Sequence, residues 1–290
     1  MNVAQQSTIG KYLSLIKFSH TVFALPFALI GFFLGVREPG SSFSGKLFVL
    51  VILCMVFARS AAVAFNRYID RRFDEANPRT SVREIPAGVI KPNAALLFVL
   101  VNCFLFIGTT LFINRICFLL SPVALLTILG YSYTKRFTAL CHLILGVGLS
   151  LAPIGAYLAV TGHFAFLPLL YSMTVLFWVG GFDVMYALQD ENFDRSQGLR
   201  SIPVAIGTKN ALRLSTLFHV LSASAVISAG YMASFGWIYW IGVSIFVGLL
   251  IFQHSLVKPN DLSKVNLAFA TTNGIASVLF SAFVLIELLS

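Results

Sequence analysis

The chain has 290 residues, 58% of them hydrophobic and only 11% charged, with a net charge of +9 and a mean hydropathy of +0.88. Soluble domains average about 25% charged residues, so this composition excludes an ordinary soluble domain and implies a polytopic, all-α membrane protein in a single domain over 1–290. The basic excess does not point to nucleic acid, because the lysines and arginines sit in short loops between apolar runs, where membrane topology places them.

A bilayer-spanning helix needs about 20 mainly apolar residues. In chain order the runs that qualify are Leu13–Val36, Lys46–Tyr68, Asn93–Ile113, Ile116–Thr134, Ala139–Val160, Phe164–Ala187, Ala211–Met232, Phe235–Leu256 and Val265–Leu289. No secretory signal precedes them, since Met1–Gly10 is polar and the first run lacks a small-residue cleavage site. Nine spans put every lysine and arginine on one side except Arg37, Lys46 and Arg115 opposite and Arg59 within the second span. That asymmetry predicts a cytoplasmic N-terminus and cytoplasmic loops at about 69–92 and 189–208. Glycines such as Gly31, Gly35, Gly146 and Gly148 suit close helix approach in lipid. Cys54, Cys103, Cys117 and Cys141 form no CxxC and read as small buried hydrophobes.

The second span ends in Asn66-Arg-Tyr-Ile-Asp70-Arg-Arg-Phe-Asp74. On a helix, Asn66, Asp70 and Asp74 project from nearly one face. An amide and two carboxylates there form a set of hard oxygen ligands, the kind Mg²⁺ takes together with substrate phosphates. The loop after the sixth span repeats the pattern with Asp190 and Asp194, one helical turn apart. Arg83-Glu-Ile-Pro86 and Arg200-Ser-Ile-Pro203 follow the two motifs in turn, so the chain reads as a diverged internal duplication. Four carboxylates gathered on one membrane side would repel one another without cations. The natural guest is Mg²⁺ with a diphosphate, whose remaining charge Arg67, Arg71, Arg72, Arg79, Arg83, Lys135, Arg136 and Arg200 can meet.

A diphosphate at a membrane mouth implies a lipid tail, and 28 phenylalanines are enough to line an apolar tunnel. Two further charges lie within apolar runs. Arg59, seven residues before Asn66, suits a substrate carboxylate by its planar fork, and Asp183, seven before Asp190, suits a general base or a group that orients a phenol. The alternative is that Arg59 and Asp183 neutralise each other as an ion pair. His20 would edge the cavity; His142, His163, His219 and His254 show no ligand spacing and read as incidental.

Taken together, Asn66-x3-Asp70-x3-Asp74, Arg79-Thr80-x2-Arg83-x2-Pro86-x-Gly88, Tyr131-Ser-Tyr-Thr-Lys135-Arg136 and Asp183-x2-Tyr186-Ala-x2-Asp190-x3-Asp194-x3-Gly198-x2-Ser201 resemble the UbiA family of intramembrane prenyltransferases over essentially the whole chain. The resemblance implies about nine transmembrane helices around a central cavity, in the inner (plasma) membrane of a bacterium. It implies Mg²⁺-dependent transfer of a polyprenyl group from its diphosphate to a carboxylated phenolic acceptor. Asn66, Asp70, Asp74, Asp190 and Asp194 would hold the metal, with Asp190 also counted, like Asp183, among the catalytic residues. Arg67, Arg79, Lys135, Arg136, Tyr186 and Arg200 would bind the donor, and Arg59 the acceptor. Within the family the chain is most similar to 4-hydroxybenzoate polyprenyltransferases of quinone biosynthesis (ubiquinone or menaquinone). Arg83-Glu84-Ile85 departs from their usual Arg-Pro-Leu, and Tyr186-Ala-Leu-Gln-Asp190 resembles enzymes that would prenylate 1,4-dihydroxy-6-naphthoate on a menaquinone route. A family member acting on a macrocycle, or a transporter of an anionic or phosphorylated lipid, are the rival readings. Against a transporter, the charges cluster at one membrane face rather than at mid-membrane.

Overall fold

The computed structural model describes residues 7–16 and 23–290. The chain forms α1 (Thr8–Leu15), α2 (Leu25–Val36), α3 (Gly45–Ala76), α4 (Pro92–Leu111), α5 (Arg115–Thr134), α6 (Cys141–Thr161), α7 (Phe166–Ala187), α8 (Glu191–Ser196), α9 (Ile202–Met232), α10 (Trp237–Leu256) and α11 (Asn273–Leu289). Among the described residues there is no strand, only an isolated bridge between Lys258 and Asp261. Among the described residues eight helices are long and apolar enough to cross a membrane. The first expected span is represented by α1 and the 12-residue α2, with residues 17–22, and His20 among them, outside the described residues.

Local chemistry sets the helix ends. The Ser44 hydroxyl accepts the Leu47 N–H at the start of α3, and the Asn114 side chain accepts the Cys117 N–H at the start of α5. Gly162 ends α6 in the left-handed region, with φ at 71°. The 32 residues of α3 make a rod about 48 Å long at 1.5 Å per residue, well beyond a hydrocarbon core of about 30 Å. The Asn66–Asp74 motif therefore stays helical to its end, and residues 69–76, expected to open a loop, are the last two turns of α3. The second motif is less regular. Asp190 closes a 3₁₀ turn, Leu188–Asp190, and Asp194 lies in α8, so the two are not one α-turn apart on a continuous helix. A break at Gly207, φ 75° and ψ 160°, separates the first residues of α9 from its long remainder.

Packing follows the glycines. A methyl at Gly31 of α2 would lie 1.9 Å from the Pro153 carbonyl oxygen of α6, and one at Gly146 of α6 would lie 2.4 Å from the Leu176 oxygen of α7. Backbone therefore touches backbone along α2–α6–α7, as small residues allow in lipid. An aromatic core fills the second half, with Phe27, Tyr171, Trp178, Tyr239, Phe246 and Phe280 fully buried. One further irregularity is the π-helical turn Leu267–Thr272 before α11. Its carbonyls are met by side chains: Gln253 donates to the Ala268 oxygen, and Asn273 donates to those of Ala268 and Phe269.

Candidate active site

The C-terminal ends of α3, α5 and α7 and the N-terminal end of α6 surround a polar cavity of about 220 Å³. Its walls carry Asn66, Asp70, Asp74, Asp183, Asp190 and Asp194, together with Arg79, Arg83, Lys135 and Tyr186. The two acidic motifs thus come to one mouth. The segments between them also converge there, since the Arg200 N–H donates to the Lys135 oxygen at 2.7 Å.

Three of the four motif carboxylates, Asp70, Asp74 and Asp190, are paired with cations. Asp70, 3% exposed, accepts from Lys135 Nζ at 3.0 Å and Arg136 Nη2 at 2.9 Å, and Asn66 Nδ2 adds a third donor at 3.2 Å. Asp74 Oδ1 accepts from Arg83 at 2.6 Å. Asp190 takes the Arg79 fork, with Nε at 2.9 Å and Nη2 on the other oxygen, while Asn77 donates at 3.2 Å. Charge-assisted forks of this kind fix orientation as well as supplying energy. Burial is the largest single influence on the Arg79 pKa and lowers it, but the hydrogen bond to Asp190 together with the charge interactions of Tyr186, Asp190 and Asp74 outweighs burial, and the pKa is raised. Arg79 Nη1 also donates to the Tyr186 hydroxyl at 3.0 Å, and the Tyr186 ring packs on Phe269 at 4.1 Å between centroids. The π-helical turn thereby braces Tyr186, which braces Arg79, which aims Asp190.

Other expected residues are placed differently. Arg67 is buried behind the cavity wall, with Nε and Nη1 unpartnered. Arg200 does not line the cavity; its guanidinium donates to the Phe137 oxygen at 2.9 Å and fastens the second loop to the α5–α6 turn. Glu84, the departure noted in the first loop, is buried and accepts the Ser14 hydroxyl at 2.5 Å, tying α1 to that loop.

Arg59 and Asp183 form no salt bridge with each other. Asp183 Oδ2 instead pairs with His142 Nδ1 at 2.7 Å. His142, expected to be incidental, lines the cavity, and so does its neighbour Cys141, expected to be a buried hydrophobe. The available signal was position: His142 opens a span on the same membrane side as both motifs. Arg59 lines a second, apolar chamber of about 420 Å³ among α3, α4, α5 and α6, with Met55, Ala62, Phe106, Leu149 and Gly155. Tyr131 and Leu145 line both spaces and mark their junction.

No group of three or more His, Cys, Asp or Glu among the described residues is arranged to hold a metal ion. The donors nonetheless suit Mg²⁺. They are hard oxygens, and Asp74 Oδ2 is buried without a hydrogen-bond partner. Mg²⁺ usually needs only one or two carboxylates, with phosphates and water completing its shell.

A charge-lined mouth beside an apolar chamber, inside a bundle of membrane-length helices, defines a membrane protein with an amphiphilic internal cavity. Comparison with known proteins places it more narrowly. The chain belongs to the UbiA prenyltransferase family, which it matches over residues 24–282. It is 33% identical over 170 residues to a 4-hydroxybenzoate octaprenyltransferase of Tolumonas auensis, covering 58% of this chain and 59% of the relative. A protein of the same description from Aeromonas salmonicida is 30% identical over 185 residues, covering 62% and 64%. The matched stretch thus spans about three-fifths of these curated relatives. Among solved structures, the apo UbiA homolog from Aeropyrum pernix K1 superposes with a TM-score of 0.84 at 29% identity, covering 92% of this chain and 98% of that one. A UbiA homolog from Archaeoglobus fulgidus bound to DMAPP and Mg²⁺ shares the fold, with a TM-score of 0.74, 22% identity and coverage of 96% and 99%.

Proposed function

We propose that this protein transfers a polyprenyl group from a polyprenyl diphosphate to the ring carbon ortho to the hydroxyl of 4-hydroxybenzoate, with Mg²⁺, in quinone biosynthesis. The observation that carries this reading is the pair of spaces joined at Tyr131 and Leu145, one lined by carboxylates and cations, the other apolar but holding Arg59. A diphosphate head fits the first and a prenyl tail the second. The description of the curated relatives supplies the acceptor, and the ligands of the Archaeoglobus fulgidus structure supply the class of donor and the metal.

In the reaction the C1–O bond of the donor breaks, its electron pair leaving with pyrophosphate. A new bond forms from C1 to the ring carbon, and the proton on that carbon is lost. Bound Mg²⁺, held by Asn66, Asp70 and Asp74 on one side and Asp190 and Asp194 on the other, would stabilise the charge that develops on the leaving group. The cations now paired with those carboxylates are Arg79, Arg83, Lys135 and Arg136. On donor binding they turn from carboxylate to phosphate, so none of these four cations is left unpaired in either state. Arg67, behind the wall, adds positive potential toward the same head group. Arg59 orients the acceptor carboxylate, and Asp183 receives its phenol. The allylic cation is shielded from water by the apolar chamber and met by aromatic faces such as Tyr131.

A second acceptor, 1,4-dihydroxy-6-naphthoate, is favoured by the form Tyr186-Ala-Leu-Gln-Asp190 and carries the same carboxylate and phenol. The charge asymmetry of the loops supports a mouth on the cytoplasmic side, and the bacterial sources of the curated relatives support the inner (plasma) membrane of a bacterium. Purified protein in detergent, incubated with Mg²⁺, labelled polyprenyl diphosphate and each acceptor in turn, tests the reading. Prenylated 4-hydroxybenzoate and pyrophosphate are expected, both lost without Mg²⁺ and in Asp190→Ala. Product from the naphthoate alone would move the assignment to the second acceptor. No product from either, with diphosphate still bound, would overturn the acceptor assignment and point to a macrocyclic acceptor or to transport.

A further inference from the structure

The pairing of His142 with Asp183 carries more than a structural role. His142 stands on the first turn of α6 and is 4% exposed. Both of its ring nitrogens are engaged. Nε2 receives the backbone N–H of Ile202, the first residue of α9, at 3.3 Å, and Nδ1 lies 2.7 Å from Asp183 Oδ2. A nitrogen that accepts from an N–H carries no proton of its own, so the proton of the neutral ring belongs on Nδ1 and points at the carboxylate. The tautomer is therefore set by a helix-end N–H that has no partner within its own helix. Asp183 has one oxygen anchored, while its side chain is 23% exposed and lines the cavity. Its other oxygen has no hydrogen-bond partner among the described residues.

We infer that His142 is the positioning residue of this site: its Nδ1–H holds Asp183 as a carboxylate with the free oxygen turned toward the phenol of the acceptor. The inference rests on the proposed prenyl transfer and adds a residue to it. A hydrogen bond from the phenol O–H to that oxygen pushes electron density into the ring and raises the nucleophilicity of the ortho carbon. A hydrogen bond donated to one oxygen keeps the carboxylate charged and fixed in rotation, as outer-shell partners do for functional side chains generally. His142 touches neither donor nor acceptor in this arrangement. The device also links three elements, since Ile202 on α9 orients His142 on α6, which orients Asp183 on α7.

The test compares His142→Ala, His142→Asn and Asp183→Asn with the wild type in the same detergent preparation. Asparagine can place an N–H close to where Nδ1–H stands, whereas alanine cannot. For His142→Ala the expected result is a kcat lower by on the order of 10- to 100-fold, with KM for the prenyl diphosphate within about twofold, the pattern of an interaction needed in the transition state. His142→Asn should recover most of that loss, and His142→Ala combined with Asp183→Asn should be no worse than Asp183→Asn alone. Equal loss in His142→Ala and His142→Asn, a parallel rise in KM for the diphosphate, or additive losses in the double variant would each overturn the inference. An independent readout is ¹⁵N NMR of histidine-labelled wild type, assigned with His142→Asn. A proton on Nδ1 and none on Nε2 is expected, and the opposite tautomer or a doubly protonated ring would overturn the inference. If wild type makes no product with any acceptor, the prenyl-transfer reading fails, and the tautomer measurement still decides the geometry on which His142 rests.

Discussion

Asp70→Asn separates two opposite expectations for the acidic motifs. From sequence, four carboxylates crowded without metal repel, so removing one charge should stabilise the metal-free protein. In the structure Asp70 is instead the shared anion of Lys135 and Arg136, at 3.0 and 2.9 Å. A hydrogen bond to a charged group contributes about 1.5–3 kcal/mol when buried. The two cationic side chains are 29% and 27% exposed, and solvent screening reduces the figure. The net loss expected for the metal-free variant is about 2 kcal/mol, with two cations left facing a neutral amide. For a chain of this size that lowers the unfolding midpoint by roughly 4 °C. The assay is thermal unfolding in detergent with a chelator present, wild type beside variant. Adding Mg²⁺ with inorganic pyrophosphate should then raise the wild-type midpoint by mass action and raise that of Asp70→Asn much less. A metal-free variant as stable as wild type, or more stable, would refute the view that Lys135 and Arg136 hold Asp70 in the absence of metal.

Two further substitutions test the packing and the chamber. Gly31→Ala drives a methyl to 1.9 Å from the Pro153 oxygen, so α2 and α6 must separate; a loss of about 2–3 kcal/mol is expected. Gly148→Ala, whose new methyl would meet Ile128 no closer than 3.6 Å, should unfold close to wild type in the same experiment, and equal behaviour of the two would sink the backbone-contact argument. Gly155 lines the apolar chamber with nothing within 4 Å of its missing side chain. Gly155→Phe should therefore raise KM for a long prenyl diphosphate several-fold while leaving a five- or ten-carbon donor within about twofold; an equal effect on both lengths would mean that the tail lies elsewhere.

Much of the fold was legible because it depends on neighbours in the chain. Long apolar runs are helices in lipid, since every backbone group must be satisfied internally, and eight of the nine expected spans coincide with helices of spanning length. Asn66, Asp70 and Asp74 share a face because they stand four residues apart on α3, and all three line the mouth. The irregular stretches were not legible in the same way. The positive-φ Gly207 inside α9 interrupts its helix, and the π-helical turn at Leu267–Thr272 has carbonyls met in part by Gln253 on α10, a side chain from another helix.

The sequence by itself determined the membrane class, the spans, the asymmetry of the loops and the list of charges able to handle a diphosphate. Only the tertiary structure decided who pairs with whom. The alternative reading of the sequence paired Arg59 with Asp183, yet in the structure His142 on α6 pairs with Asp183 across 41 residues of chain, and Arg59 faces the apolar chamber. Arg200, grouped by sequence with the diphosphate cations, is drawn to a backbone oxygen at Phe137. The physical reason is the same in each case. A residue's helical face follows from the residues beside it, but its partner follows from which backbones can approach, and that is set by contacts such as Gly31 on Pro153 and Gly146 on Leu176 between segments far apart in the chain.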